Sequence, residues 1–164
     1  MGARSQPPLR EKENWFDPEA TPTRRFAIYL PSRSKDGAAI GNLEALTEDI
    51  LEILCELFGG ATSYPARGVF RTREGSLQGE EIRMVECFCE SKAWDHHAPF
   101  LKSLLGVLAR ILDQETIGCA LDGQLLFVPP IAQSPANAIP LDASGLKALV
   151  GTVLGADSSA SPKR

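Results

Sequence analysis

Between Arg25 and Pro31 the chain alternates. Phe26, Ile28 and Leu30 fall on one side of an extended strand, with Ala27 and Tyr29 on the other. Pro31 ends the run, and the polar stretch to Gly41 carries a turn signal at Lys35 to Gly37. From Leu43 the period changes. Leu43, Leu46, Ile50, Ile53, Leu54 and Leu57 recur at spacings of three and four, which predicts a helix with one apolar face. Asn42 is its expected N-cap, and Gly59-Gly60 stops it through a left-handed cap.

Ala61 to Ala66 reads as a loop around Tyr64-Pro65, and Gly68 to Thr72 as a short strand. Arg73 to Ser76 then makes a hairpin turn, and Glu81 to Glu90 is the returning strand. Ser91 to Pro99 reads as a loop leading into a second helix, with Asp95 as cap and Pro99 in the first turn. Leu101, Leu104, Leu108 and Ile111 mark the buried side of that helix. Ile117 to Leu121 and Gln124 to Val128 flank Asp122-Gly123, a strong hairpin signal.

The order of elements predicts an α+β fold. It is a ferredoxin-like βαββαβ sandwich with an extra C-terminal hairpin strand and both helices on one face of an antiparallel sheet. The first strand is then central, flanked by the third and fourth, and the last strand extends the edge beyond the fourth. The uncovered face must meet water, a second subunit, a ligand or a tail. The expected domain spans 25–130. Residues 1–24 read as a mobile arm in which Trp15-Phe16 is the one large apolar pair, and 131–164 as a tail with one short helix at about 144–154.

The composition of the 164 residues, 43% hydrophobic and 23% charged, is that of an ordinary globular domain, which needs neither disulfide nor metal to hold a core. A net charge of -4 gives no general attraction to nucleic acid or anionic lipid. No stretch is long enough for a membrane span, the N-terminus lacks the apolar core of a secretory signal, and Gln6 spoils a myristoylation pattern. Four scattered cysteines without a C-x-x-C pair suggest a reducing compartment. A soluble, cytoplasmic protein is the expectation.

The segments IYLPSRSKDG, ELFGGATSYPARGVF and EEIRMVECF carry a resemblance. They are similar to a loose group of small uncharacterised bacterial α+β proteins with an I-Y-x-P strand, a helix ending in F-G-G-x-T and a G-x-W/F hairpin strand. Phe58, Gly59, Gly60, Thr62 and Gly68 match, and Phe70 stands where Trp is commoner. The resemblance covers roughly 25–128. It implies the fold and a prokaryotic origin, and no catalytic residue.

Candidate chemistry is sparse. Cys87 and Cys89 share a strand face, but a metal would need two further ligands beside them, and Cys55 and Cys119 lie on other elements. Buried inert thiols are the simpler reading, so no metal site is assigned. His96 and His97 are the only imidazoles and the sole acid-base candidates, with Glu86 or Glu90 as the carboxylate a functional pair would recruit. The competing reading is a solvated or capping role. Gly59 to Ser63 follows a helix, whereas a phosphate loop opens one, so it reads as a cap. Arg67, Arg71, Arg73 and Arg83 cluster on the proposed hairpin. With Tyr29 they form an anion-binding candidate, set against solvated pairing with Glu80, Glu81 and Glu86. Tyr29, Arg71 and Arg83 are the ligand-binding candidates, and no cofactor is called for.

The function expected is a small intracellular binding or interaction module, with an unidentified protein or small-molecule partner. A homodimer through the open sheet face or an edge strand is one partnership this allows. The alternatives are a small ferredoxin-like enzyme working on that open face, and a nucleic-acid-associated accessory protein using the arginine hairpin.

Overall fold

A computed structural model of the chain describes residues 23–71 and 74–132. The elements run β1 (Thr23–Pro31), α1 (Leu43–Phe58), β2 (Thr62–Arg71), β3 (Leu77–Glu90), α2 (Ser91–Ile111), β4 (Ile117–Leu121) and β5 (Gln124–Val128). The strands form one five-stranded sheet in the order β2-β3-β1-β4-β5, with β1 antiparallel to both β3 and β4. This is the ferredoxin-like α+β sandwich with an added edge strand. The Trp15-Phe16 pair, Arg73 and the tail helix expected at about 144–154 lie outside the described residues. No described helix is long and apolar enough to cross a membrane.

The alternation of β1 decides where the core sits. Phe26, Ile28 and Leu30 are buried beneath the helices. Their cross-strand partners Cys87 and Val85 on β3 and Cys119 on β4 are buried with them. From above, α1 contributes Leu46, Ile50, Ile53 and Leu54, and α2 contributes Leu101, Leu104, Leu105 and Leu108. Each helix therefore spends its apolar stripe on the same face of the sheet.

Four local expectations differ from the structure, the shortest to state being that β3 begins at Leu77 and not at Glu81. Strand β2 begins at Thr62, because Thr62 to Ala66 pairs with Ile82 to Glu86 of β3. Pro65 is tolerated there because β2 is an edge strand, where a missing N–H need not break the ladder. Helix α2 begins at Ser91 and runs through Pro99. Trp94 packs on Phe26 at 5.1 Å and His97 meets Phe58 edge-on at 5.6 Å, so tertiary contacts hold the turns before the proline in helical form. Asn42 precedes α1 without a side-chain capping bond. The Gly59 cap is as expected: its φ is 86°, and its N–H donates to the Cys55 carbonyl at 2.7 Å.

The β4–β5 hairpin closes on Asp122 and Gly123, both at positive φ (51° and 82°), the two-residue turn that matches strand twist. Asp122 also ties this turn to β1. Its carboxylate accepts from the Arg25 backbone N–H at 2.9 Å and from Arg24 Nε at 2.5 Å. The Arg25 amide first, then the Arg24 side chain, hold the Asp122 carboxyl below its ordinary range. Folding thus favours the ionised form. The contribution is present above the ordinary Asp value of about 4 and is lost as pH falls through the lower folded value. Asp122→Asn, which still suits the left-handed turn position, is expected to lower the urea midpoint near neutral pH. Once the parent carboxylate is protonated, the two midpoints should converge. A gap that stays constant on acidification would show that the charge is irrelevant.

Candidate functional site

The side of the sheet away from the helices is built from the other half of each strand alternation. On β1 these are Arg25, Ala27 and Tyr29, on β3 Ile82, Met84, Glu86 and Phe88, on β4 Gly118 and Ala120, and on β5 Leu125 and Phe127. Much of this face is apolar and open. Phe88 is 59% exposed, Leu125 53% and Phe127 64%. At one edge of the apolar area Arg25 donates from Nε and Nη2 to Glu86 Oε2, at 2.9 and 2.6 Å, so the charges there are matched within the chain.

At the other end the face hollows into a cleft of about 370 Å3. All five strands or their ends line it. Tyr29, Ile82 and Gly118 lie at its middle, Leu125 and Phe127 form one wall, Gly68 and Val69 the opposite one, and Glu80, Gln114 and Thr116 supply polar groups. Gly118 is what leaves room. A Cβ at this position would sit 3.7 Å from Tyr29 Cβ and 3.8 Å from Phe127 Cε1, so any larger side chain would occupy the space between the two rings. Gln114 is fixed by donating from Nε2 to the Arg33 and Leu112 carbonyls at 2.7 and 2.9 Å. Volume and lining are those of a small-molecule site: mostly apolar, with a few polar groups to orient a ligand.

Of the residues singled out in the sequence, Tyr29 is in this cleft. Arg83 is on the helix side, where its Nη2 donates to Glu44 Oε2 of α1 at 3.0 Å. With Arg67 and Glu81 it lines a second groove of about 420 Å3 beside the start of α1. Arg71 donates to the Gly75 carbonyl of its own turn at 2.8 Å. Arg67, Arg71 and Arg83 share the helix-side face of the hairpin, so none of them converges with Tyr29. Glu86, weighed as a partner for these arginines, is engaged by Arg25. His96 and His97 are on α2, ring to ring at 4.6 Å, with His97 against Phe58. The sheet separates both from the cleft.

Cys87, Cys89 and Cys119 are buried and Cys55 is exposed. Burial, reinforced by the neighbouring Cys89 and Glu86, pushes the Cys87 thiol up to about 12, and burial also raises Cys89 and Cys119. These thiols stay protonated near neutral pH, in the form that neither attacks nor ligates. Among the described residues no group of three or more His, Cys, Asp or Glu side chains could hold a metal ion.

Sequence reasoning did not select Gly118, Leu125 or Phe127. One signal for them was present. On β4, Ile117, Cys119 and Leu121 alternate with Gly118 and Ala120, so one face carries only small side chains. Such a strand leaves a hollow when its neighbours carry large ones.

No protein-family model matches the chain, and no curated protein matches it. Solved structures do. A phage SAM lyase in complex with S-methyl-5′-thioadenosine is similar at a TM-score of 0.51 and 14% identity, over 74% of this chain and 100% of that one. CutA from Synechococcus elongatus gives a TM-score of 0.42 at 15% identity, over 76% of this chain and 89% of that one. The likeness to the lyase is one of fold.

Proposed function

We propose that the chain is a small binding module. Its working surface is the open face of the sheet, and its ligand is a flat, largely apolar molecule held between Tyr29 and Phe127. The observation that carries this reading is the Gly118-floored cleft, with two aromatic side chains across it and hydroxyl, amide and carboxylate groups along its lining. Stacking on an aromatic side chain contributes about 1–3 kcal/mol and tolerates many ring systems. The polar lining then selects among them.

The enzyme reading has less support, because the two imidazoles and the cleft are on opposite sides of the sheet. The nucleic-acid reading has less support too. Arg83 is paired with Glu44, and Arg71 with its own turn. A second copy of the chain is the protein partner that the exposed β5 edge of the same face favours.

Two flat probes test the reading: indole, and S-methyl-5′-thioadenosine, the ligand of the lyase that shares the fold. Saturation-transfer NMR on the full chain is expected to show saturable binding of at least one. Tyr29→Ala and Gly118→Leu should each weaken it by at least about fivefold, the lower end of one lost stacking contact. His97→Ala, on the far side of the sheet, should leave it unchanged. Binding of neither probe, or binding indifferent to both cleft variants, would sink the proposal.

A further inference from the structure

The two edges of the sheet are not equivalent. Strand β2 carries Pro65, Arg67 and Arg71, the kind of residues that keep an edge from pairing. Strand β5 reads Gln-Leu-Leu-Phe-Val, with no charge and no proline. Leu125, Leu126 and Phe127 are all exposed, and among the described residues β5 has a strand neighbour on one side only.

The hairpin turn fixes which backbone groups face outward. In a two-residue turn closed on Asp122 and Gly123, Leu121 and Gln124 form the bonded closing pair. Bonded and non-bonded pairs then alternate. Cys119 with Leu126 and Ile117 with Val128 are bonded pairs, so the N–H and C=O of Leu125 and Phe127 point to the free side. Among the described residues no backbone group outside β4 is bonded to them.

The geometry points to a homodimer in which β5 pairs antiparallel with β5 of a second copy, about a two-fold axis through Leu126. In this register each Leu125 faces Phe127 of the other copy, and both pairs exchange two backbone hydrogen bonds. Every outward group on both strands is used. Moving the axis to Leu125 brings Gly123 of the turn opposite Phe127. Moving it to Phe127 brings Pro129, which has no N–H, opposite Leu125. The interface is isologous and joins the two five-stranded sheets into one. No like charges meet across it, because the nearest carboxylate, Asp122, is held by Arg24 of its own chain. Leu125 and Phe127 both line the cleft. The second copy therefore sets its Leu125 beside Phe127 and lengthens that apolar wall.

Cysteine cross-linking and sedimentation velocity on the full chain test this without any ligand, so the outcome is independent of the proposed binding function. In a Cys55→Ser background, which removes the exposed native thiol, Leu126→Cys should oxidise to a disulfide-linked dimer. The axis would place the two copies of residue 126 as a non-bonded pair, about 4.5 Å apart at Cα, within reach of a disulfide. Gln124→Cys, which would face Val128, should not cross-link. The parent should sediment as a dimer, and Leu125→Lys should weaken association by about tenfold or more. Circular dichroism melting would check that the lysine variant is folded, and if it is not, the cross-linking arm still decides. A parent chain that stays monomeric at its highest attainable concentration overturns the proposal, whether the edge is open or covered by another part of the same chain. So does a dimer cross-linked through Gln124→Cys and not through Leu126→Cys.

Discussion

Phe26→Ala is expected to destabilise the domain by about 3–5 kcal/mol, the range for deleting a large buried aromatic side chain. Phe26 is 2% exposed and lies on the central strand, with Cys87 opposite on β3, Leu121 opposite on β4 and the Trp94 ring 5.1 Å away. No neighbour can collapse easily into the vacancy, since two sides are backbone-paired strands and the third is the first turn of α2. Domains of this kind have roughly 5–15 kcal/mol in total, so the variant should unfold at a much lower urea concentration. Trp94 fluorescence would report the transition and should already differ in the folded variant. Tyr29→Ala, three residues along the same strand on the open face, should cost far less. Equal costs at the two positions would mean that the core is not on the side where the helices place it.

Gly106→Ala is the second large effect, and its sign runs against helix propensity. Gly106 is in the interior of α2, where alanine normally gains about 1 kcal/mol. Here the added Cβ would be 2.4 Å from Ile131 Cγ2, 3.3 Å from Ile131 N and 3.4 Å from the Pro129 carbonyl oxygen. Turning χ1 of Ile131 would move Cγ2, but that torsion is stiff at a β-branched residue, and the Ile131 N and Pro129 carbonyl contacts are backbone that no rotamer change relieves. The segment after β5 must lift, and the bond from Ile131 N–H to the Gly106 carbonyl at 3.2 Å is strained or lost. Overpacking of this sort costs about 1–3 kcal/mol. The variant is therefore expected to be less stable by up to about 2 kcal/mol, with faster hydrogen exchange at the Ile131 amide. A more stable variant would show that the segment is not held against α2.

The contrast between Phe26 and Gly106 marks what could be read locally. Phe26 is one member of a strict alternation, and burial on the helix side follows from the period of the strand. Nothing around Gly106 announces Ile131, which is 25 residues away and meets it only because β4 and β5 return the chain beneath α2. The same holds for Pro99. Its local reading starts a helix, and the helix nevertheless runs through it, because Trp94 and His97 find partners on β1 and α1.

The candidate site divides in the same way. Tyr29 was visible as an aromatic residue on the non-core side of a strand, but its neighbours in the cleft come from four other strands. Arg71 and Arg83 looked like companions for Tyr29 on composition. Register sends them to the other face, where Arg83 meets Glu44 and Arg71 its own turn.

By itself the sequence determined the kind and order of the seven described elements, the helix stop at Gly59 and the hairpin at Asp122-Gly123, because each depends on side chains within a few residues of one another. The tertiary structure alone decided how far β2 extends, where α2 begins, which side of the hairpin the arginines take, and that Tyr29, Gly118 and Phe127 share one hollow. Those outcomes depend on strand register between distant segments, and register is fixed by the pairing of whole faces, which no short stretch of sequence contains.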